Sequence, residues 1–337
     1  MAEGPGSTAG AVLVSVIVVN YNAGDLLLRC LGDLSRQTRS DFEAIVVDNE
    51  SKDGSFERAR AAIVDARFRF DHMGGNLGFA AANNAAARSA RGTWIALLNP
   101  DAFPAPDWLE RLLQAAERHV DVATFGSLQL FDDAPHLVDG AGDRYLAYGQ
   151  PWRDLHGMPR DLVLSGDVDQ FSACAAASLI RADLFRQAGG FDERFFCYCE
   201  DVDLGFRLAL AGWRSMICTE AVVLHRGGAS APSGDFAAYH GVRNLIWTYA
   251  KNMPGILLWA TAPGFIALLA AHIAAAMVRG KAAVVLRALR DGFAAWFSMR
   301  ADGAPARDRC SIGALARRFD WNPITFAWRR RRRAVRI

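Results

Sequence analysis

Thr93-Trp94-Ile95-Ala96-Leu97-Leu98-Asn99-Pro100-Asp101 is the stretch on which the fold turns. The apolar residues Trp94 to Leu98 run without alternation, the pattern of a strand buried on both faces of a parallel sheet. Proline cannot donate to a sheet ladder, so the strand stops at Asn99-Pro100 and delivers Asp101 at its carboxyl edge. Ligands of open α/β sheets bind at that edge. A carboxylate on a stiff strand end suits a divalent cation or a phosphate-bearing ligand; the plainer alternative is an aspartate that starts a turn.

Upstream, Val12 to Val19 is an apolar, β-branched run ending in Asn20-Tyr21-Asn22. Asp25 to Gln37 carries Leu26, Leu27, Cys30, Leu31 and Leu34 at helical spacing. A second β-rich run, Phe42 to Val47, ends in the polar stretch Asp48 to Ser55, with Ser55 the expected N-cap of a helix to about Ala62. A short strand at Phe68–Phe70, the turn Gly74 to Phe79 and an Ala-rich helix over Ala80 to Ala90 lead into the opening strand. Pro106-Asp107 then starts a helix to His119. Strand and helix alternate with a period of about thirty residues, the βαβ signature of a doubly wound, mostly parallel α/β sheet. Right-handed crossovers bring the polar strand ends 20–22, 48–55 and 99–101 to one edge, so they should converge.

What that edge lacks is informative. The first strand is followed by Asn20-Tyr21-Asn22-Ala23-Gly24, not by G-x-G-x-x-G, and neither a P-loop nor G-x-S-x-G occurs. A site of carboxylates and amides needs a metal to offset the charge of a bound phosphate. With 337 residues, 52% hydrophobic and 22% charged, the chain has material for a large core, and global disorder is not expected. The net charge of +2 hides an unbroken run, Arg329 to Arg333, near the C-terminus. Six cysteines without a CxxC pair read as reduced, mostly buried thiols rather than a disulfide framework or a zinc site. Residues 1–11 read as a loose, disordered tail without a signal peptide.

Beyond the helix ending at His119, Phe131 to Ser165 is irregular, as in a functional lid or an acceptor-binding segment. Val168 to Ile180 suits a central strand. Glu200 opens a helix to Ala211, closed by Gly212 as its C′ residue. Trp213 to Ile217 and Ala221 to Leu224 read as two strands, the second ending at His225.

Several of these segments together resemble family-2 glycosyltransferases with a GT-A fold, in particular the rhamnosyltransferase-like branch. The matching pieces are VIVVNYN (16–22), VVDNESKDGS (46–55), NLGFAAANN (76–84), LLNPD (97–101), GGFDERFF (189–196), EDVDLGFR (200–207) and VLH (223–225), in family order. The resemblance implies an inverting transfer of a sugar from a nucleotide-diphosphate donor, a dTDP- or UDP-sugar, with Mg²⁺ or Mn²⁺ as cofactor. It implies Asp101 as a metal ligand, Asn99 standing where the fuller D-x-D motif has its first aspartate, and His225 as a second ligand. It implies a donor pocket in which Asp48 accepts from the pyrimidine base, Tyr21 lies against that base and Asp53 helps with the ribose. Asn76, Gly78 and Asn83 match the donor-contact segment. Asp201 matches the general base that deprotonates the acceptor hydroxyl, with Glu200 in support. Acidic residues at a helix start are also what the helix dipole favours, and Asp203 is a substitute candidate for the base.

The expected organisation is a catalytic domain over residues 12–235 and a helical, membrane-associating region over 236–337. Gly255 to Val278 is almost wholly apolar and has the length of a bilayer span, broken by Pro263, Gly264 and His272. Lys281 to Met299 is amphipathic, and Trp321 to Arg333 is rich in Trp and Arg. A hairpin lying on or dipping into an anionic leaflet keeps both the catalytic domain and the Arg run on the cytoplasmic face. A dimer interface is the rival reading, and nucleic acid is not expected as a partner. The expected acceptor is a glycan, polyprenyl-linked, in cell-envelope polysaccharide synthesis. A sugar-phosphate nucleotidyltransferase would want a basic, Gly-rich loop where Asn20 to Gly24 stands, and an inactive binding module would not keep Asp48, Asp101 and Asp201.

Overall fold

The computed structural model describes residues 12–227, 234–303 and 310–323. The first half of the chain runs β1 (Val14–Asn20), α1 (Asp25–Ser35), β2 (Phe42–Asp48), α2 (Ser55–Ala62), β3 (Phe68–His72), α3 (Gly78–Ser89), β4 (Trp94–Leu98), β5 (Ala102–Pro104), α4 (Trp108–Arg118) and β6 (Val122–Phe131). Next come β7 (Val138–Gly140), β8 (Asp143–Leu146), β9 (Gln150–Arg153), β10 (Asp167–Gln170), β11 (Ala177–Arg181), α5 (Ala182–Gln187), α6 (Glu200–Leu210) and β12 (Arg214–His225). The helices α7 (Gly234–Asn252), α8 (Gly255–Val278), α9 (Ala282–Ala294), α10 (Trp296–Ala301) and α11 (Ile312–Ala316) follow.

The main sheet has the order β10-β12-β6-β11-β4-β1-β2-β3. β1 is parallel to β2 and β4, β2 to β3, and β6 to β12, while β11 runs antiparallel between β4 and β6. The unalternating strand sequences follow from burial on both faces. In β1, Val14, Val16 and Val18 pack with Leu27, Leu31, Phe56 and Trp108 on one side, and Ile17 and Val19 pack with Ala82, Ala86, Phe185 and Leu204 on the other. This is a doubly wound, mostly parallel α/β architecture, with the carboxyl ends of β1, β2 and β4 side by side.

Three local expectations are corrected. Val168 to Ile180 is not one central strand: β10 pairs with β12 at the sheet edge, and β11 enters the centre separately. The small residues between them pass tight against α6, where a Cβ on Gly205 would come within 2.4 Å of the Ser172 Cβ. Trp213 to Ile217 and Ala221 to Leu224 are one strand, β12, with a register shift against β6 between Cys218 and Val222 that bulges the intervening residues. Ser55 is the first helical residue of α2 rather than its cap; its N–H and hydroxyl both donate to Asp53 Oδ1, at 3.0 and 2.7 Å.

The C-terminal helices share a core with the rest of the chain. Tyr145 and Phe171 stack at 5.0 Å beside Phe206 of α6, and the same cluster takes in Tyr249 of α7 and Phe265 of α8, stacked at 4.0 Å. Asp203 is fully buried between α6 and α7, where Arg207, Lys251 and Asn252 all reach it within 3.0 Å. That engagement removes Asp203 as a substitute base. Pro263 does not interrupt α8.

Candidate active site

The strand ends meet as the topology requires. Asn20 and Asp48 are register partners at the ends of β1 and β2, and Asn20 Nδ2 donates to Asp48 Oδ1 at 3.1 Å and to Ser51 Oγ and Ser55 Oγ at 2.9 Å. Asp48 also accepts from the Ser51 N–H at 3.1 Å. Asp53 accepts from the Gly24 N–H at 2.8 Å, tying the loop after β1 to the loop after β2. Asn49 Nδ2 donates to Asn76 Oδ1 at 3.0 Å, and Asn49 Oδ1 accepts from the Leu77 N–H, which fixes the turn into α3. Gly78 has φ +85°, and a Cβ there would lie 2.5 Å from the Phe196 ring. No other residue fits that crossing.

Asp101 follows β4, and β5 leaves it to pair antiparallel with the end of β12, setting Ala102 opposite His225. The buried His225 imidazole thereby comes 3.5 Å from Asp101 Oδ1 through Nε2, while its Nδ1 pairs with Asp139 Oδ2 on β7 at 2.7 Å. Asp139 in turn accepts from Arg153 at 2.6 Å. Burial works against charge on His225, but the Asp101 and Asp139 carboxylates outweigh it and lift its pKa to about 9. With no ion bound, the protonated imidazole pairs directly with Asp101. A cation would displace the Nε2 proton, and since two donors bound to one ion at about 2.1 Å lie roughly 3 to 3.5 Å apart, the same separation accommodates one. An Nδ1 bond to a carboxylate is also the usual way to turn Nε2 toward a metal.

Across the same cavity stands Asp201, in the first turn of α6. The Ala175 N–H donates to its Oδ2 at 3.0 Å, and the Val202 N–H donates to its Oδ1 at 2.8 Å. The buried Asp143 is close by, with Asp143, Cys174 and Asp201 offering polar atoms within 4.8 Å of one another. Arg153, register partner of Asp143 in the β8–β9 hairpin, contacts Cys174 Sγ at 3.4 Å and supplies positive charge to this group. Burial and then the Asp201 charge raise Asp143 to about 8. Burial also raises Asp201, while its two backbone donors and Arg153 oppose the shift. Glu200 is buried with Oε2 unpartnered, and burial followed by the Asp201 charge raises it well above the carboxylate range.

The backbone leading into α6 is unusual. Phe196, Tyr198 and Cys199 all have left-handed φ, between 64° and 71°. Such strain persists only where neighbours over-determine it. Here the neighbour is Asn244 of α7, fully buried, whose Nδ2 donates to the carbonyls of Phe195, Cys197 and Tyr198 at 2.7 to 2.9 Å.

One cavity of about 890 Å³ joins these features. Tyr21, Asn76, Gly78, Asn99, Asp101 and His225 line it on the β-strand side, and Glu200 and Asp201 line it at α6. Asp48, Asp53 and Asn83 are absent from its wall; Asn83 is buried inside α3, its amide bound to the Phe79 carbonyl at 2.9 Å. The wall also holds residues that the pattern of the chain did not mark: Asn49, Asp143 and Arg153, with Asp139 behind His225. The irregular stretch after β6 supplies the last three through β7, β8 and β9. Asn49 alone had a local signal, standing inside the polar strand-end cluster.

Residues 15–182 match the family described as "Glycosyl transferase family 2". The N-acetylglucosaminyl-diphospho-decaprenol L-rhamnosyltransferase of Mycobacterium tuberculosis is 31% identical over 254 residues, covering 68% of this chain and 81% of that protein. Validoxylamine A glucosyltransferase of Streptomyces hygroscopicus is 30% identical over 238 residues, covering 62% of this chain and 54% of that protein. Among solved structures, GalNAc-T7 with UDP, GalNAc and Mn²⁺ aligns with a TM-score of 0.59 at 14% identity, over 72% of this chain and 48% of that one. S. aureus TarS 1-349 in complex with UDP aligns at 0.52 and 15% identity, over 78% and 72%. The sheet order, the strand-edge cavity and these similarities agree: the chain belongs to glycosyl transferase family 2 and is a glycosyltransferase.

Proposed function

We propose that the enzyme moves a sugar, with inversion, from a dTDP- or UDP-linked donor to a hydroxyl of a polyprenyl-linked glycan, at the cytoplasmic face of the inner membrane. The observation that carries this reading is that Asp101 with His225 and Asp201 line opposite parts of one cavity at the carboxyl edge of the sheet. The relative with a decaprenol-linked acceptor named in its description supports the acceptor class.

Asp101 and His225 would hold Mg²⁺ or Mn²⁺, which when bound stabilises the negative charge of the leaving diphosphate. Asn99 beside Asp101 offers a neutral amide to the same region. The donor base lies toward Tyr21, Asn49 and Asn76; Asp48, behind the wall at the adjoining strand end, would reach a ring N–H only by turning from Ser51, and Asp53 braces the loop beside the ribose. Asp201 takes the proton of the acceptor hydroxyl as that oxygen bonds to the anomeric carbon, and the bond from that carbon to the diphosphate oxygen breaks on the opposite face. The two backbone donors on Asp201 aim the carboxylate and oppose the upward shift that burial imposes on it.

Calorimetry with UDP, dTDP and GDP, each with and without Mn²⁺, tests the donor half of this reading. Metal-dependent binding of a pyrimidine nucleotide supports it, and failure of all three to bind defeats it. Asp201→Asn should lose transfer by about 10²- to 10⁴-fold, the span of general-base effects, while keeping nucleotide binding. Wild-type-like turnover in that variant would sink the base assignment.

A further inference from the structure

The catalytic cavity does not end at the sheet edge. Its far wall is built by the C-terminal helices: Leu268, Ala271, His272, Ala275 and Ala276 of α8 and Arg279 at its C-cap line it, recurring at the three- and four-residue steps of one helix face. Val242 and Leu245 of α7 and Val285 of α9 complete an apolar surface there, and Lys281 stands between α8 and α9. The alanines keep this arm open, because small side chains leave volume where leucines would fill it. Arg279 is exposed and makes no ion pair among the described residues, while Lys281 lies 3.2 Å from the exposed Asp235.

On its other side α8 presents Trp259, Ile266, Met277 and Val278 to the exterior, Val278 being 90% exposed. Only 22% of its most apolar window is buried. A single helix therefore separates the catalytic cavity from an outward apolar face, and the cavity's helical end couples apolar surface to cationic side chains. A free sugar needs no such wall, and an inorganic anion needs none of its apolar part. A prenyl chain ending in a diphosphate uses both.

We propose that the α7–α9 arm of the cavity is the binding site for the prenyl diphosphate of the acceptor, with Arg279 and Lys281 holding the diphosphate and the Val242–Ala276–Val285 surface holding the first isoprene units. This rests on the glycosyltransferase reading of the site and deepens it, since it places the acceptor's lipid on named residues. A cavity of about 890 Å³ accommodates a sugar, a diphosphate and a few isoprene units. The remainder of a long chain leaves along the outer face of α8.

The test uses the full-length protein in detergent, with farnesyl diphosphate, farnesol and inorganic diphosphate as probes. Farnesyl diphosphate should bind at least about tenfold more tightly than either of the other two, as expected when a charge-assisted grip and apolar burial act together. Arg279→Gln combined with Lys281→Gln should reduce farnesyl diphosphate affinity about tenfold and leave farnesol unaffected. Ala275→Trp should fill the arm and weaken both lipids. Equal affinity for farnesyl diphosphate and inorganic diphosphate, or indifference to both sets of substitutions, overturns the proposal. Nucleotide binding measured on the same preparations separates this inference from the donor reading. Retained nucleotide binding without farnesyl diphosphate binding overturns the lipid arm alone, and the reverse result keeps the arm and defeats the donor site.

Discussion

Asp139 shows how much of the proposed metal site rests on a residue that never touches it. Burial alone would raise this carboxyl, but the bond from His225 and the nearby Arg153 and His156 hold it below the ordinary range. It stays ionised, and so fixes His225 with Nε2 turned to Asp101. Asp139→Asn should therefore weaken Mn²⁺ binding in the presence of nucleotide by about 10- to 100-fold, the usual cost of losing a supporting carboxylate. Titration of Mn²⁺ by electron paramagnetic resonance reads this directly, and an unchanged affinity would show that Asp101 needs no oriented imidazole. Asp143 makes a second residue-scale prediction, through pH. Its folded-state pKa, about 8, exceeds the ordinary aspartate value of 3.8. The folded protein thus holds a proton there that the unfolded chain has released, and the associated stability, complete below pH 4, is lost as pH rises through 8. Asp143→Asn cannot titrate, so its melting temperature should gain on the wild type as pH rises from about 4 to 8 and stop gaining above about 9. A difference that does not change with pH would mean that Asp143 is ionised throughout.

At the scale of elements, the segment before α6 is held from outside. One amide, that of Asn244, donates to three carbonyls of a turn with three left-handed non-glycine residues. Asn244→Ala takes the side-chain donor from the Cys197 and Tyr198 carbonyls, while the Phe195 carbonyl keeps the Cys197 N–H and Arg243, and should cost about 1 to 3 kcal/mol of stability. Because the turn sets the start of α6, the variant should also lose transfer at least about tenfold while nucleotide affinity holds; kcat and nucleotide binding measured side by side decide it, and equal losses in both would make the effect one of global destabilisation. How far such features were legible in the chain depends on pairing. Parallel strands buried on both faces announce themselves as continuous apolar runs, so the ends at Asn20, Asp48 and Asp101 were readable in advance, and right-handed crossovers placed them together. Asp139, Asp143 and Arg153 lie on strands of three or four residues within an irregular stretch. What brings Asp143 against Arg153 is cross-strand register, and register leaves no periodic trace in a single sequence. The split of residues 168–180 between β10 and β11 was hidden for the same reason, because an apolar run of small residues does not say where one strand stops pairing and the next begins.

Over the whole molecule, α7, α8 and α9 form one wall of the catalytic cavity. The buried contacts of Asp203 with Lys251 and Asn252 of α7, and the shared cluster of Tyr145, Phe206, Tyr249 and Phe265, fasten these helices to the sheet domain. They are thus part of the enzyme's wall as well as its outer surface. Among the described residues, α8 is long and apolar enough to cross a membrane, yet its inner face is committed to the cavity and to α7 and α9. An α8 surrounded by lipid would expose that inner face and open the cavity, so we infer that the helix lies along the interface with only its outer face in the acyl boundary. Arg329 to Arg333, outside the described residues, would add attraction to an anionic leaflet. On this arrangement the protein should stay with the membrane fraction through carbonate and high-salt washes and leave only with detergent. Replacing Trp259 and Ile266 on the outer face by lysine should shift it to the soluble fraction while metal-dependent nucleotide binding is retained, because neither side chain lines the cavity. Release of the wild type by carbonate alone would count against embedding, and loss of nucleotide binding in the doubly substituted protein would mean that the outer face of α8 supports the sheet domain rather than a membrane.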